Sequence, residues 1–398
     1  MKKIALATLL ALGAAVPAHA DIITDWNIKT SDLIGEARMG TPPAVRAMAL
    51  VQTSTLEAVK AVTPGASLDA AVAAANRAAL LKTMPAVQPS IEAAYQAALA
   101  KIADGDAKSA GIAIGEKAAA NVLASRADDM PAGPESYRPF TTPGTYVPTA
   151  GVAVPMWPQR KPWAMTSASQ FRPAAPPALG SETWTRNFNE VKSLGGRATS
   201  QRTPEQTDIA KYWEYSLPSI YCGVIHSVAN QPGRTPAQNA RLLATAAQAM
   251  DDALIAIFDA KYHYNYWRPV TAIRNGDRDS NDATERDASW APLVDNPLHP
   301  EYPSGHGVLA GAVGAVLKAE IGAGATPLLV TSNPALKGAT RQWTSVDAFV
   351  NEIGDARVWG GLHYRFSVDT AAAMGKQVGE LTLKRSSTRV ALRESSGQ

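Results

Sequence analysis

Cysteine is nearly absent. Cys222 stands alone among 398 residues, which excludes an intramolecular disulfide and a cysteine-rich metal site and leaves a small buried hydrophobe or a free thiol. Long apolar runs are missing as well. The run Ile4 to Val16 is too short to span a bilayer, and nothing later reaches roughly 18 uninterrupted apolar residues. There is no excess of one charge either: 38 Lys and Arg face 35 Asp and Glu, a net +3, so no global field argues for nucleic acid or a membrane surface. Alternating strand-like patterns are scarce. Abundant alanine and helical periodicity point instead to an all-α architecture of two helical bundles.

In chain order, Lys2-Lys3, the short apolar run and Ala18-His19-Ala20 form a Sec-type secretory signal. Cleavage is expected after Ala20, in a periplasmic or secreted protein. After a short segment opened by Trp26, residues 21–126 read as an N-terminal bundle of four alanine-rich helices. The first starts at Thr41-Pro42-Pro43; the others are Leu68–Leu81, Ile91–Ile102 and Ala107–Leu123. Residues 127–180 follow, and 11 of the 28 prolines lie between 131 and 177. Such density excludes helix interiors and sheet centres, and the aromatic residues favour an ordered wrap over a linker. From 181 to 390 helical pattern returns, with capping boxes at Thr203-Pro204-Glu205-Gln206 and Thr235-Pro236-Ala237-Gln238. Asp277, Asp279 and Asn281 have only a faint calcium-loop spacing; Asp282 and Ala288 replace the needed Gly and Glu, so this is a solvated loop.

Three segments of the last region carry chemistry. In the first, the stripe Leu243, Ala247, Met250, Leu254, Ile257 continues onto Lys261, Tyr264 and Arg268, so two cations extend an inward face; they either reach water or hold an anion. In the second, Pro303-Ser304-Gly305-His306 opens an apolar helix. The Ser304 hydroxyl and Gly305 N–H suit an oxyanion there, and His306 is either an acid–base residue or a hydrogen-bonded core histidine. In the third, five residues separate Arg357 from His363, with Gly360-Gly361 a natural break between them.

Lys-x6-Arg-Pro, then Pro-Ser-Gly-His, then Arg-x5-His, with 33 residues between Pro269 and Pro303 and 50 between His306 and Arg357, resembles the pattern shared by vanadium-dependent haloperoxidases and the acid phosphatases of the type-2 phosphatidic acid phosphatase superfamily. Two positions depart from it. Ala356 replaces a usual Ser, and Ser367 stands where an Asp is expected four residues after His363, with Asp369 two positions late.

The resemblance implies vanadate as cofactor, with phosphate able to take the same site. Lys261, Arg268, Ser304, Gly305 and Arg357 would hold its oxygens, His363 would be the single protein ligand to the metal, and His306 the acid–base residue. Hydrogen peroxide would oxidise a halide for an organic acceptor, with Lys261 polarising the peroxide. In the alternative, a periplasmic acid phosphatase, His363 is the nucleophile on a phosphate ester and His306 protonates the leaving alkoxide. The extra bundle, the His363-Tyr364-Arg365-Phe366 ending and the missing carboxylate favour the peroxidase. His299, five residues before Ser304, and Phe258, three before Lys261, fall at halide-side positions and lean toward bromide or iodide. By the same resemblance Trp157, Arg160 and Trp163 would line the approach. A third possibility is an anion-binding scaffold without turnover. The sequence leaves the oligomeric state open.

Overall fold

The computed structural model describes residues 21–129, 134–198 and 201–396, with side chains to residue 387. The expected signal at residues 1–20 lies outside the described residues. The first helix, α1 (Ile22–Glu36), was not anticipated; the Asp21 side chain caps it by accepting from Thr24 N–H at 2.9 Å, a standard N-cap contact. The next four are α2 (Thr41–Ala61), α3 (Leu68–Thr83), α4 (Gln88–Leu99) and α5 (Asp106–Ala124). Alanine lets them pack closely: a Cβ on Gly115 would lie 2.1 Å from the Ala71 carbonyl oxygen.

The described residues of the proline-rich segment lie against the helices. It contains no α-helix among its described residues, and it is pinned to the helices by acceptors on the long helix α9, described below. After it come α6 (Glu182–Leu194), α7 (Pro204–Tyr212), α8 (Ser219–Ala229) and α9 (Pro236–Tyr264). Both expected capping boxes form, at Thr203/Gln206 and Thr235/Gln238. Helix α9 packs against α2 on one side and the later helices on the other. Its Asp252 accepts from the Trp163, Ala164 and Met165 N–H groups at 2.7, 2.7 and 3.1 Å, and its Asp251 from Trp163 Nε1 at 2.7 Å.

Helix α9 stops at Tyr264, where Asn265 takes a left-handed conformation (φ 46°). Arg268 therefore does not continue the inward stripe as the spacing suggested. It precedes α10 (Pro269–Arg274) in extended conformation, because Pro269 disfavours a helical residue before it. Three helices complete the chain: α11 (Gly305–Ile321), α12 (Val346–Trp359) and α13 (Arg365–Ser396). A small antiparallel hairpin, β1 (Leu329–Asn333) with β2 (Ala339–Trp343), was not foreseen. Helices α11 and α13 cross at backbone contact: a Cβ on Gly311 would lie 2.2 Å from the Ala372 carbonyl oxygen, and one on Gly375 2.1 Å from that of Val308. This crossing fixes the N-terminal end of α11 beside the start of α13, where Ser304 N–H donates to the Ser367 carbonyl at 3.3 Å.

One hydrophobic core runs from Ile23 of α1 to Val378 of α13. Cys222 is buried in it, and burial pushes the thiol up to about 12. A second, aromatic cluster of Trp184, Tyr266, Trp267, Tyr302 and Tyr364 backs the motif segments. Asp279 serves that cluster, accepting from Trp184 Nε1 at 2.9 Å and Thr284 Oγ1 at 2.7 Å; it is a structural acceptor. No described helix is long and apolar enough to cross a membrane.

Candidate active site

Three cations from three elements meet under cover. Lys261, Arg268 and Arg357 are at most 2 % exposed. The last turn of α9 presents Lys261, whose Nζ donates to the Pro300 and Glu301 carbonyls at 2.9 and 2.8 Å. An ammonium has three donors, so one is left for another acceptor. Arg268 donates to the His299 carbonyl at 2.9 Å, to the Leu362 carbonyl at 3.0 Å and to His363 Nε2 at 3.3 Å. From the last turn of α12, Arg357 gives Nη1 to the Trp213 carbonyl at 2.5 Å, while its buried Nε has no partner. Burial lowers the proton affinity of all three, and repulsion from neighbouring cations adds to it at Lys261 and Arg357: Lys261 falls well below its usual range, and Arg268 and Arg357 fall to about 10.

His363 stands in the turn between α12 and α13, and Gly361 (φ 77°) makes that turn possible. Its Nδ1 is 2.7 Å from Glu301 Oε1, and both side chains are buried. Burial, Arg268 and Lys261 hold the imidazole far below its ordinary pKa. The ring is thus neutral, with Nδ1–H donated to the carboxylate and the Nε2 lone pair turned toward Arg268. A second-sphere carboxylate of this kind fixes the tautomer and raises ligand basicity.

Sequence reasoning missed Glu301. The carboxylate looked for four residues after His363 is not there, and Asp369 does not substitute: it is exposed, near Arg365. The acid arrives from the loop before α11, 62 residues upstream. The available signal was an acid between two prolines in an otherwise apolar and aromatic stretch. The missing-carboxylate reason for disfavouring a nucleophilic histidine therefore falls. Burial pushes Glu301 up to about 7 against the pull of Lys261 and Arg268.

Ser304 caps α11, with Gly307 N–H donating to its Oγ at 3.4 Å; the hydroxyl proton stays available. Gly305 and His306 begin the helix, half-buried. His306 Nε2 lies 3.4 Å from the Tyr215 carbonyl. A carbonyl only accepts, so Nε2 carries the hydrogen and Nδ1 keeps the lone pair. Burial and Arg357 depress this histidine as well, so it is a neutral base. Phe258 and His299 meet edge to face at 5.3 Å, and Arg268 Nη2 lies 3.1 Å from His299 Nδ1. Trp157 and Trp163, expected along the approach, are instead buried in the main core, and Arg160 donates to the Asp129 carbonyl at 2.9 Å. Thr145 and Tyr146 of the wrap line a groove together with Arg268, and Tyr146 N–H donates to the Asn265 carbonyl at 2.7 Å.

Three buried cations face one carboxylate that is itself drawn toward neutrality. An uncompensated charge in low dielectric is costly, and the orphaned Arg357 Nε and the helix N-terminus ask for the same thing, a small oxyanion. Among described residues there is no cluster of three or more His, Cys, Asp or Glu able to chelate a bare cation. The donor set fits vanadate or phosphate: cationic and neutral donors for oxygens, one imidazole for the central atom.

This is an all-α fold in which three buried cations gather between helix ends. Residues 241–391 match the family described as the VCPO second helical-bundle domain. The vanadium chloroperoxidase of Curvularia inaequalis is 27 % identical over 265 residues, 52 % of this chain and 42 % of that protein, so the match spans less than half of the relative's length. Among solved structures, a bacterial vanadium-dependent iodoperoxidase superposes over 91 % of this chain and 95 % of its own, with a TM-score of 0.78 at 21 % identity. A holo-type bacterial vanadium-dependent chloroperoxidase covers 88 % and 94 %, with a TM-score of 0.70 at 18 % identity. These structural likenesses concern the fold. The sequence likeness falls on the motif-bearing region, which is similar to the VCPO second helical-bundle domain.

Proposed function

We propose that this chain is a vanadate-dependent haloperoxidase, oxidising bromide or iodide with hydrogen peroxide to hypohalous acid. The observation carrying this reading is the neutral, buried His363, its Nε2 lone pair held toward a three-cation pocket by Glu301. When bound, vanadate would act as a Lewis acid on hydrogen peroxide without changing oxidation state. His363 Nε2 would be its protein ligand. Lys261, Arg268, Arg357, the Ser304 hydroxyl and the Gly305 N–H would neutralise and orient its oxygens. The neutral His306, through Nδ1, would take the proton that hydrogen peroxide gives up. Lys261, with its remaining N–H, would polarise the peroxide oxygen. Phe258 and His299 form the wall on the halide side, a soft, weakly hydrated surface suited to a large halide.

Glu301 also favours a second reading. A histidine with Nδ1–H on a carboxylate is equipped as a nucleophile, and phosphoryl transfer to His363 Nε2, with His306 as general acid, gives a phosphatase. One assay separates the two. Full-length protein with vanadate, hydrogen peroxide and bromide should brominate a phenol dye, and vanadate-free protein should leave an aryl phosphate intact. Hydrolysis without vanadate and no bromination with it would reverse the assignment. Tight vanadate binding with neither activity would leave an anion-binding scaffold.

A further inference from the structure

Beside the cradle, sharing Arg268 with it, runs a groove of about 830 Å³, within the size range of sites for small organic molecules. One wall is the wrap at Thr141–Thr149 and the other the loop ending at Leu298; Trp267 and α10 form the floor. The wrap wall is pinned: Trp267 N–H donates to the Gly144 carbonyl at 3.1 Å and Ala153 N–H to the Leu298 carbonyl at 2.6 Å. The groove is therefore formed before any ligand arrives.

Its chemistry is of two kinds. Val147 and Leu298 expose apolar surface (37 % and 38 %). Arg274 and Arg278 stand exposed among the lining residues, and the buried Arg268 lies behind them. The one carboxylate among the described lining residues, Asp295, is 2.8 Å from Arg197 Nη2. The field is positive and the body of the groove apolar, which suits an aromatic molecule bearing one acidic group.

Its position matters as much. Leu298 immediately precedes His299, and Arg268 both lines the groove and bonds His299 and His363. We propose that this groove binds the organic acceptor, an aryl carboxylate, beside the centre that oxidises halide. The acceptor role rests on the peroxidase reading; the binding does not. In the transfer the ring attacks the halogen of hypohalous acid, a C–X bond replaces a C–H bond, and the released proton joins the departing hydroxide as water. Hydrogen peroxide remains the oxidant.

The test uses 6-hydroxy-2-naphthoate and its neutral counterpart 2-naphthol, titrated calorimetrically into the full chain with and without vanadate. The acid should bind about tenfold more tightly than the naphthol, and Arg278→Glu should remove that margin, as expected for a charge-assisted contact. Val147→Glu, on the opposite exposed wall, should do the same and guards against a folding defect in the first variant. Equal affinity for the two probes, or indifference to both substitutions in folded protein, overturns the site. For the acceptor role, the two probes compete in one tube with vanadate, peroxide and bromide. A product ratio shifted toward the acid relative to free hypobromite supports it, and the free-reagent ratio overturns it. Binding without any bromination overturns the peroxidase reading and the acceptor role while leaving the binding site.

Discussion

Two ionic clusters are buried in this chain, and they are built in opposite ways. At the contact between α2, α9 and the wrap, Arg46 meets Asp251 at 2.6 Å and Asp129 in a second short ion pair. The two carboxylates paired with Arg46 raise its pKa against the effect of burial, and Asp129 is shared with Arg160 at 3.9 Å. At the cradle, cations outnumber the carboxylate, and the pKa of each cation falls. The first cluster binds its proton more firmly and closes on itself; the second is left wanting an anion. A buried charge explained by its neighbours is architecture. One left unexplained indicates a guest.

The largest effect should come from breaking the closed cluster. Asp251→Ala removes one of the two carboxylates paired with Arg46 and the acceptor of Trp163 Nε1, and should cost about 3–5 kcal/mol of folding stability, the usual range for a broken buried pair, read by denaturant unfolding. At the cradle the sign should reverse: Arg357→Met removes an unmatched charge, so vanadate-free protein should unfold at the same or higher denaturant concentration. Its vanadate affinity should fall by roughly 2–3 kcal/mol, the scale of a lost charge-assisted contact. Strong destabilisation of the empty Arg357→Met protein would erase the contrast between the clusters.

Glu301 should have the next effect. Glu301→Ala should lower vanadate affinity about 10–100-fold, as second-sphere losses do, and Glu301→Gln should lower it less, since its amide oxygen still accepts Nδ1–H. The pH dependence follows from the raised pKa. Below about 7 Glu301 is protonated and can donate to Nδ1, which moves the imidazole hydrogen to Nε2 and blocks the ligand position. Affinity in the wild type should fall as pH drops through about 7, and this limb should be absent in Glu301→Gln. Stability runs the other way. A carboxyl whose folded pKa lies above its unfolded value favours the folded state while protonated, so empty protein should lose stability as pH rises from about 4.5 to about 7. The smallest effect belongs to Ser304→Ala, which should cost about 1 kcal/mol through the cap and reduce anion affinity modestly.

Much of this was legible in sequence. Capping boxes and proline at first helical positions are local signals, and they marked α7 and α9 correctly. Three spaced motifs named every cation in the cradle. What escaped was non-local. Arg268 was placed on the α9 stripe because periodicity does not register a left-handed Asn265. Helix α1 was passed over as a short segment. Glu301 was sought at a fixed offset along the chain, whereas the fold needs only a carboxylate within reach of Nδ1, and a loop 62 residues away supplies it.

The most direct test of the central claim, that the cradle holds an oxyanion with His363 as its ligand and His306 as its base, is vanadate affinity measured by calorimetry in His306→Ala and His363→Ala. The account predicts that His306→Ala keeps affinity within about tenfold while turnover is lost, as for removal of a general base, and that His363→Ala loses both. Equal loss of affinity in the two variants would contradict it.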